Sequence, residues 1–163
     1  MVDTHLARRI GDRLESIGMK SKTEFLQAVD AVNTGGRTNY FGFIGIVITD
    51  LGEGSCTGEL VIRSDFDGPP GFIHAGAIVS LADSCAGAGC ATNLPEGATG
   101  FMTVELKTNL LGSVGEGTLI CQATAAHMGR TTQVWDAIIF HKESGRKLAL
   151  FRCTQMVLYP KPA

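Results

Sequence analysis

The stretch FIHAGAIVSLADSCAGAGCA, Phe72 to Ala91, decides how the rest of the chain is read. It contains one long run of small and apolar residues. Ala75, Ala77, Ile78, Val79, Leu81, Ala82, Cys85, Ala86 and Ala88 point in every direction around a helical axis. A helix that is apolar all round is expected to be buried. Its small side chains let a sheet approach closely.

On both sides of this helix the pattern reads as strand. Upstream, Tyr40 to Thr49 is aromatic and β-branched, and Cys56 to Arg63 follows a Gly-Glu-Gly turn. The segment Asp65 to Gly71 is a loop by composition. Downstream, strands are expected over Thr99–Thr108, Gly117–His127, Thr131–His141 and Lys147–Leu158, with turns at Gly129-Arg130 and Glu143-Ser-Gly145. In the first of these, Met102, Val104 and Leu106 alternate with Thr103, Glu105 and Lys107. Ahead of the strands come two helical segments. Thr4 to Ile17 carries Leu6, Ile10, Leu14 and Ile17 at helical spacing. Ser21 with Glu24 reads as a capping box for a second helix, which ends near Asn33. The order predicts an α+β fold in which an antiparallel sheet of five to six strands wraps one central helix, the hotdog architecture. Residues 1–36 are expected as a helical extension and residues 37–160 as the main domain.

Composition narrows the function. The chain has 163 residues, 44% of them apolar and 18% charged, so it can bury a core and is not disordered. A formal charge of −2, with five basic and five acidic residues before Asn33, gives no case for nucleic-acid binding. No run approaches the roughly 18 apolar residues of a membrane helix. The N-terminus lacks the apolar core of a signal peptide, so a cytoplasmic protein is expected. Cys56, Cys85, Cys90, Cys121 and Cys153 are odd in number and show no metal-site spacing. Buried free thiols are expected, with no metal.

Asp83 is the one Asp, Glu, Lys or Arg between Gly71 and Asn93. Either it lies on a water-facing strip of the helix, or it is a desolvated carboxylate of the kind that marks a functional site. His74 lies nine residues earlier at the helix start, two and a half turns away, where it can cap the helix. The two side chains cannot meet within one chain. The backbone N–H groups of Ala75 and Gly76 fall in the first turn, where they lack intrahelical partners and face the positive end of the dipole. Such groups suit an oxyanion.

The segment from Phe72 to Asp83, with its His-x-Gly and an acid nine residues on, resembles the hotdog acyl-CoA thioesterases of the phenylacetyl-CoA thioesterase (PaaI-like) group. The resemblance runs from about Tyr40 to Tyr159 and takes in the Met102–Leu106 strand and the Gly129-Arg130 turn. It implies an acyl-CoA substrate, hydrolysis to a carboxylate and free coenzyme A, and no cofactor. It implies that Asp83 is the general base or the nucleophile. The Ala75 amide, helped by that of Gly76, would polarise the thioester carbonyl, His74 would orient the helix start, and Thr103 would help place the attacking water. Gly129, Arg130 and Thr131 would lie near the coenzyme A phosphates. The site would form between two subunits of a homodimer or homotetramer. Two positions depart from the family: Ala75 stands where Gly is common, and Gly68 stands where Asn or Gln is common. A hotdog module that holds acyl-CoA without turning it over is the second reading, and a hydratase the third.

Overall fold

A computed structural model describes residues 20–68 and 71–161, so the helix expected over Thr4–Ile17 lies outside the described residues. The elements are α1 (Lys22–Gly36), α2 (Tyr40–Ile44), β1 (Ile46–Gly52), β2 (Ser55–Val61), a 3-10 turn at Ser64–Phe66, the two-residue strands β3 (Asp67–Gly68) and β4 (Phe72–Ile73), α3 (Ala75–Thr92), β5 (Gly100–Leu110), β6 (Thr118–Met128), β7 (Thr132–His141) and β8 (Lys147–Leu158). Six strands form one antiparallel sheet in the order β1-β2-β6-β7-β8-β5. The sheet wraps α3, as the sequence predicts. Among the described residues no helix is long and apolar enough to cross a membrane.

The core lies between α3 and the inner face of the sheet. Ile78, Leu81, Ala82, Cys85, Ala86 and Cys90 of α3 are buried against Ile48, Leu60, Trp135, Ile139 and Phe151. Small residues make this approach possible. A Cβ at Gly89 would sit 2.6 Å from the Trp135 ring, so the indole occupies the space that a side chain would take. All five cysteines are free and buried. The helix is not buried all round, however. Gly76 is exposed, and Ser80, Asp83 and Gly87 are half-buried, so a strip of α3 is open in the single chain.

The capping box forms as read: the Ser21 hydroxyl accepts from the Glu24 N–H, and the Glu24 carboxylate accepts from the Ser21 N–H. Phe25, Val29 and Val32 then pack α1 onto the core. At the end of α1, Asn33 binds the edge strand twice. Its Nδ2 donates to the Ile48 carbonyl at 2.8 Å, and the Ile48 N–H donates to its Oδ1 at 2.9 Å.

Three expectations are corrected. Tyr40–Ile44 is helical rather than part of a strand. Asn39 caps it by accepting from the Phe41 N–H, and Gly45, at φ 79°, ends it in the left-handed region. Local capping thus overrides the β propensity of the aromatic run, and β1 starts at Ile46. The segment Asp65–Gly71, expected as a loop, holds part of the 3-10 turn and β3, whose Asp67–Gly68 pairs with Phe72–Ile73; the central helix then starts at Ala75 with His74 as its cap, as read. The alternation of β5 is broken by a bulge at Val104: Thr103 pairs with Gln155, but Glu105 pairs with Thr154. Beyond the bulge, Leu106 pairs with the buried Cys153, whereas Met102 pairs with the exposed Met156, so the two no longer share a face although Leu106 is itself exposed in the single chain.

Candidate active site

The start of α3 is held by its own cap. His74, at φ −63° and ψ 136°, accepts at Nδ1 from the Gly76 N–H at 2.9 Å. The neutral ring therefore carries its proton on Nε2. The His74 N–H donates to the Phe66 carbonyl at 2.7 Å, which ties the helix start to the 3-10 turn. The Gly76 amide is thus engaged by His74. The Ala75 N–H has no hydrogen-bond partner among the described residues. Of the two amides expected to face a carbonyl oxygen, that of Ala75 is the open one. Gly68 lies against His74: a Cβ there would be 3.4 Å from the His74 Cα and 3.5 Å from its ring.

Asp83 lies nine residues along α3, about 13 Å from His74 by helical rise. It is half-buried on the open strip, and among the described residues no cation forms a salt bridge with it. Burial pushes its carboxyl above the usual carboxylate range, opposed in part by the Thr103 hydroxyl. The Thr103 Oγ1 is 3.4 Å from Asp83 Oδ1, so the structure brings these two side chains together. The same Oγ1 donates at 2.9 Å to Oε1 of Gln155. Gln155 is fully buried, and its Nε2 donates to the Cys153 sulfur at 3.3 Å. Burial, and then the Asp83 charge, push the Cys153 thiol up to about 12. Tyr40 and Ser80 flank the strip toward the helix start: their hydroxyls are 2.9 Å apart, and Ser80 donates to the Gly76 carbonyl. One turn past Asp83, a Cβ at Gly87 would lie 3.2 Å from the Phe101 ring.

Gly129, Arg130 and Thr131 sit elsewhere, in the β6–β7 turn beyond the C-terminal end of α3. The Arg130 guanidinium lies over the Tyr159 ring at 5.2 Å, and the Tyr159 hydroxyl donates to the Arg130 carbonyl at 2.6 Å. The Val157 N–H donates to the Thr131 carbonyl, and the Gly129 N–H to the Thr132 carbonyl. Gly129, Arg130 and Tyr159 border a cavity of ≈ 330 Å³ shared with Asn93, Glu96 and Met128. The expected site residues therefore fall in three places along α3: the amide at its start, Asp83 with Thr103 at its middle, and the arginine turn past its end. A second cavity, ≈ 420 Å³, lies on the outer face of the sheet, where Arg152 is held by Asp136 at 2.5 and 2.6 Å. No group of three His, Cys, Asp or Glu side chains is placed to hold a metal among the described residues.

The sequence reading missed Gln155 and the Tyr40–Ser80 pair. Gln155 had a signal in its parity: Phe151, Cys153, Gln155 and Val157 share the inward face of β8, and a polar residue there needs a partner. Tyr40 had none, because the aromatic and β-branched run it opens favours strand.

Residues 70–148 match the model of the thioesterase superfamily. The 1,4-dihydroxy-2-naphthoyl-CoA hydrolase of Listeria monocytogenes is 32% identical over 111 residues, which cover 68% of this chain and 89% of that protein. A crystal structure of a mutant thioesterase, PA1618 of Pseudomonas aeruginosa, is 25% identical with a TM-score of 0.75, covering 80% of this chain and 93% of that one. The PaaI protein of Escherichia coli, from the phenylacetic acid degradation operon, shares the fold at a TM-score of 0.71 and 20% identity, covering 80% and 93%.

Proposed function

The chain belongs to the thioesterase superfamily and is a thioester hydrolase, and from that premise we propose that it hydrolyses acyl-coenzyme A thioesters with Asp83 as general base. The observation that carries this reading is Asp83 itself: half-buried, raised by desolvation, without a salt bridge among the described residues, and beside the Thr103 hydroxyl. The name of the Listeria relative, a CoA-ester hydrolase, supports the substrate class. Asp83 takes a proton from water as the water oxygen bonds to the thioester carbon. Charge moves onto the carbonyl oxygen, where the Ala75 N–H at the positive end of α3 stabilises it. Collapse of the intermediate breaks the C–S bond, and the proton held by Asp83 passes to the departing thiolate. The Arg130 turn is the reading's phosphate contact for coenzyme A, with a charge-assisted bond as its physical basis.

The Ala75 amide and Asp83 are eight residues apart, about 12 Å by helical rise in one chain, so the reading needs two chains. β5 is an edge strand with Met102, Val104 and Leu110 exposed. Within the chain, the start of α3 lies toward the Leu110 end of β5, through the bond from the Ile73 N–H to the Val114 carbonyl, while Asp83 lies by Thr103 near the other end. Pairing two β5 strands antiparallel would carry each helix start toward the other chain's Asp83. A dimer is therefore the smallest active unit.

Asp83→Asn tests the reading by steady-state kinetics with acyl-CoA. The expected result is a fall in kcat of about 10²-fold or more, as for loss of a general base, with binding of a non-hydrolysable acyl-CoA analogue retained. Near-wild-type turnover would reject Asp83 as the base.

A further inference from the structure

We propose that Gln155 is a positioning residue of the active site, drawing the Thr103 proton toward its own carbonyl so that the Thr103 oxygen presents a lone pair to the attacking water beside Asp83. The inference rests on the reading of Asp83 as the base. A threonine hydroxyl has one proton and two acceptor sites. The Thr103 hydroxyl is 2.9 Å from Gln155 Oε1 and 3.4 Å from Asp83 Oδ1, and the shorter contact takes the proton. Register supports this, because Thr103 and Gln155 are cross-strand partners immediately before the Val104 bulge. Burial supports it as well. Gln155 has no exposed surface, so its amide oxygen needs a donor, and Thr103 is the one it has.

This arrangement has two consequences for the chemistry. With its proton drawn to Gln155 at 2.9 Å, Thr103 gives the carboxylate only the long contact at 3.4 Å, so Asp83 remains the stronger base. The Thr103 oxygen can then accept one proton of a water whose other proton goes to Asp83. That water's lone pair is left for the thioester carbon. The groups facing Asp83 allow the effect to be read. Besides Thr103 on β5, Cys153 on β8 feels the Asp83 charge, and Cys153 is in turn near Cys90 of α3 and Glu105 of β5. Burial holds Cys153 and Cys90 protonated, at about 12 and about 11.

The test is the pH dependence of kcat/KM for acyl-CoA in the full chain carrying Gln155→Leu, Gln155→Met or Thr103→Val. Gln155→Leu returns the Thr103 proton to Asp83. It is expected to move the acid limb down by about half a unit to one unit and to lower kcat roughly 3- to 10-fold, with KM nearly unchanged. Gln155→Met keeps the length of the side chain and removes the carbonyl, so the limb is expected to move down in the same way. In a Thr103→Val background, Gln155→Leu is expected to have no further effect on the limb. An acid limb unmoved or raised in Gln155→Leu overturns the proposal, as does the same downward shift without the Thr103 hydroxyl. Should Gln155→Leu fail to fold, Gln155→Met decides: a downward shift supports the proposal and an unmoved or raised limb overturns it. Asp83→Asn run alongside separates the two readings. Activity near wild type there rejects Asp83 as the base, whereas an inactive Asp83→Asn with an unmoved limb in Gln155→Leu rejects the role of Gln155 alone.

Discussion

At one edge of the sheet, Asn33 of α1 engages both backbone groups of Ile48, and α1 packs against β1. At the other edge, β5 is bonded only to β8 among the described residues and carries Met102, Val104 and Leu110 in the open. Unpaired ladder groups on an edge invite another strand, and proteins usually cover or blunt them. Here one edge is closed by the chain's own helix and the other is left apolar. The open edge is also the one beside Thr103 and Asp83. On the proposed two-chain reading, the difference teaches where a second copy would sit: the open strand lies along the half of the site that holds Asp83.

Charge placed on the open edge gives the largest expected effect. Val104→Lys changes an exposed residue, so the monomer should fold, but it would place a buried charge from each chain at a paired β5 seam. Activity is expected to fall by about 10²-fold together with the shift from dimer to monomer, since the amide of one chain and the base of the other would separate. Sedimentation and turnover on the same sample check it; an active monomer would break the comparison.

A middle-sized effect is expected from the carboxylate itself. Burial raises the Asp83 carboxyl in the folded state, so between the unfolded and folded values the native chain holds the extra proton. Stability then falls as pH rises through that window, and the cost is fully present above the folded value. Asp83→Asn removes the cost. Thermal melts should show the variant more stable than the wild type at pH 7, with the gain shrinking as pH falls and vanishing near about pH 3, where the wild-type carboxyl is neutral in both states. A gain that grows toward low pH would contradict the sign.

The smallest effect belongs to the closed edge. Asn33→Ala removes two hydrogen bonds to Ile48 and should cost about 1–2 kcal/mol in chemical denaturation. Turnover per folded chain should hold, because β1 is at the opposite edge of the sheet from β5 and Thr103. A loss of turnover that follows Asn33 rather than stability would show that the two edges are coupled.

Much of this was legible in the residues, and the failures have identifiable causes. β8 runs over Lys147–Leu158 as its alternation predicts, and the Ser21–Glu24 cap forms, because both signals are local and unopposed. The Tyr40–Ile44 turn of helix was hidden, since its composition favours strand and only Asn39 and Gly45, one residue outside each end, favour helix. The bulge at Val104 was hidden by an alternation that continues on paper through a residue the partner strand skips. His74, Ala75 and Asp83 could be placed from helical spacing alone, but the engagement of the Gly76 amide by His74 depends on a side-chain rotamer, and the Thr103–Gln155 contact depends on register between distant strands.

A mixed-subunit experiment tests the two-chain site most directly. Ala75→Pro deletes the open amide at the first helical position, where proline fits the backbone and His74 already has the extended ψ that a following proline requires. Alone, Ala75→Pro and Asp83→Asn are each expected to be inactive. Mixed, refolded together and allowed to pair at random, half the dimers would hold one chain of each kind. In those, one of the two sites joins a normal Asp83 to a normal Ala75 amide, so about a quarter of wild-type activity should return. A mixture as inactive as its components, with hybrid dimers shown to be present, would contradict a site completed across the β5 seam.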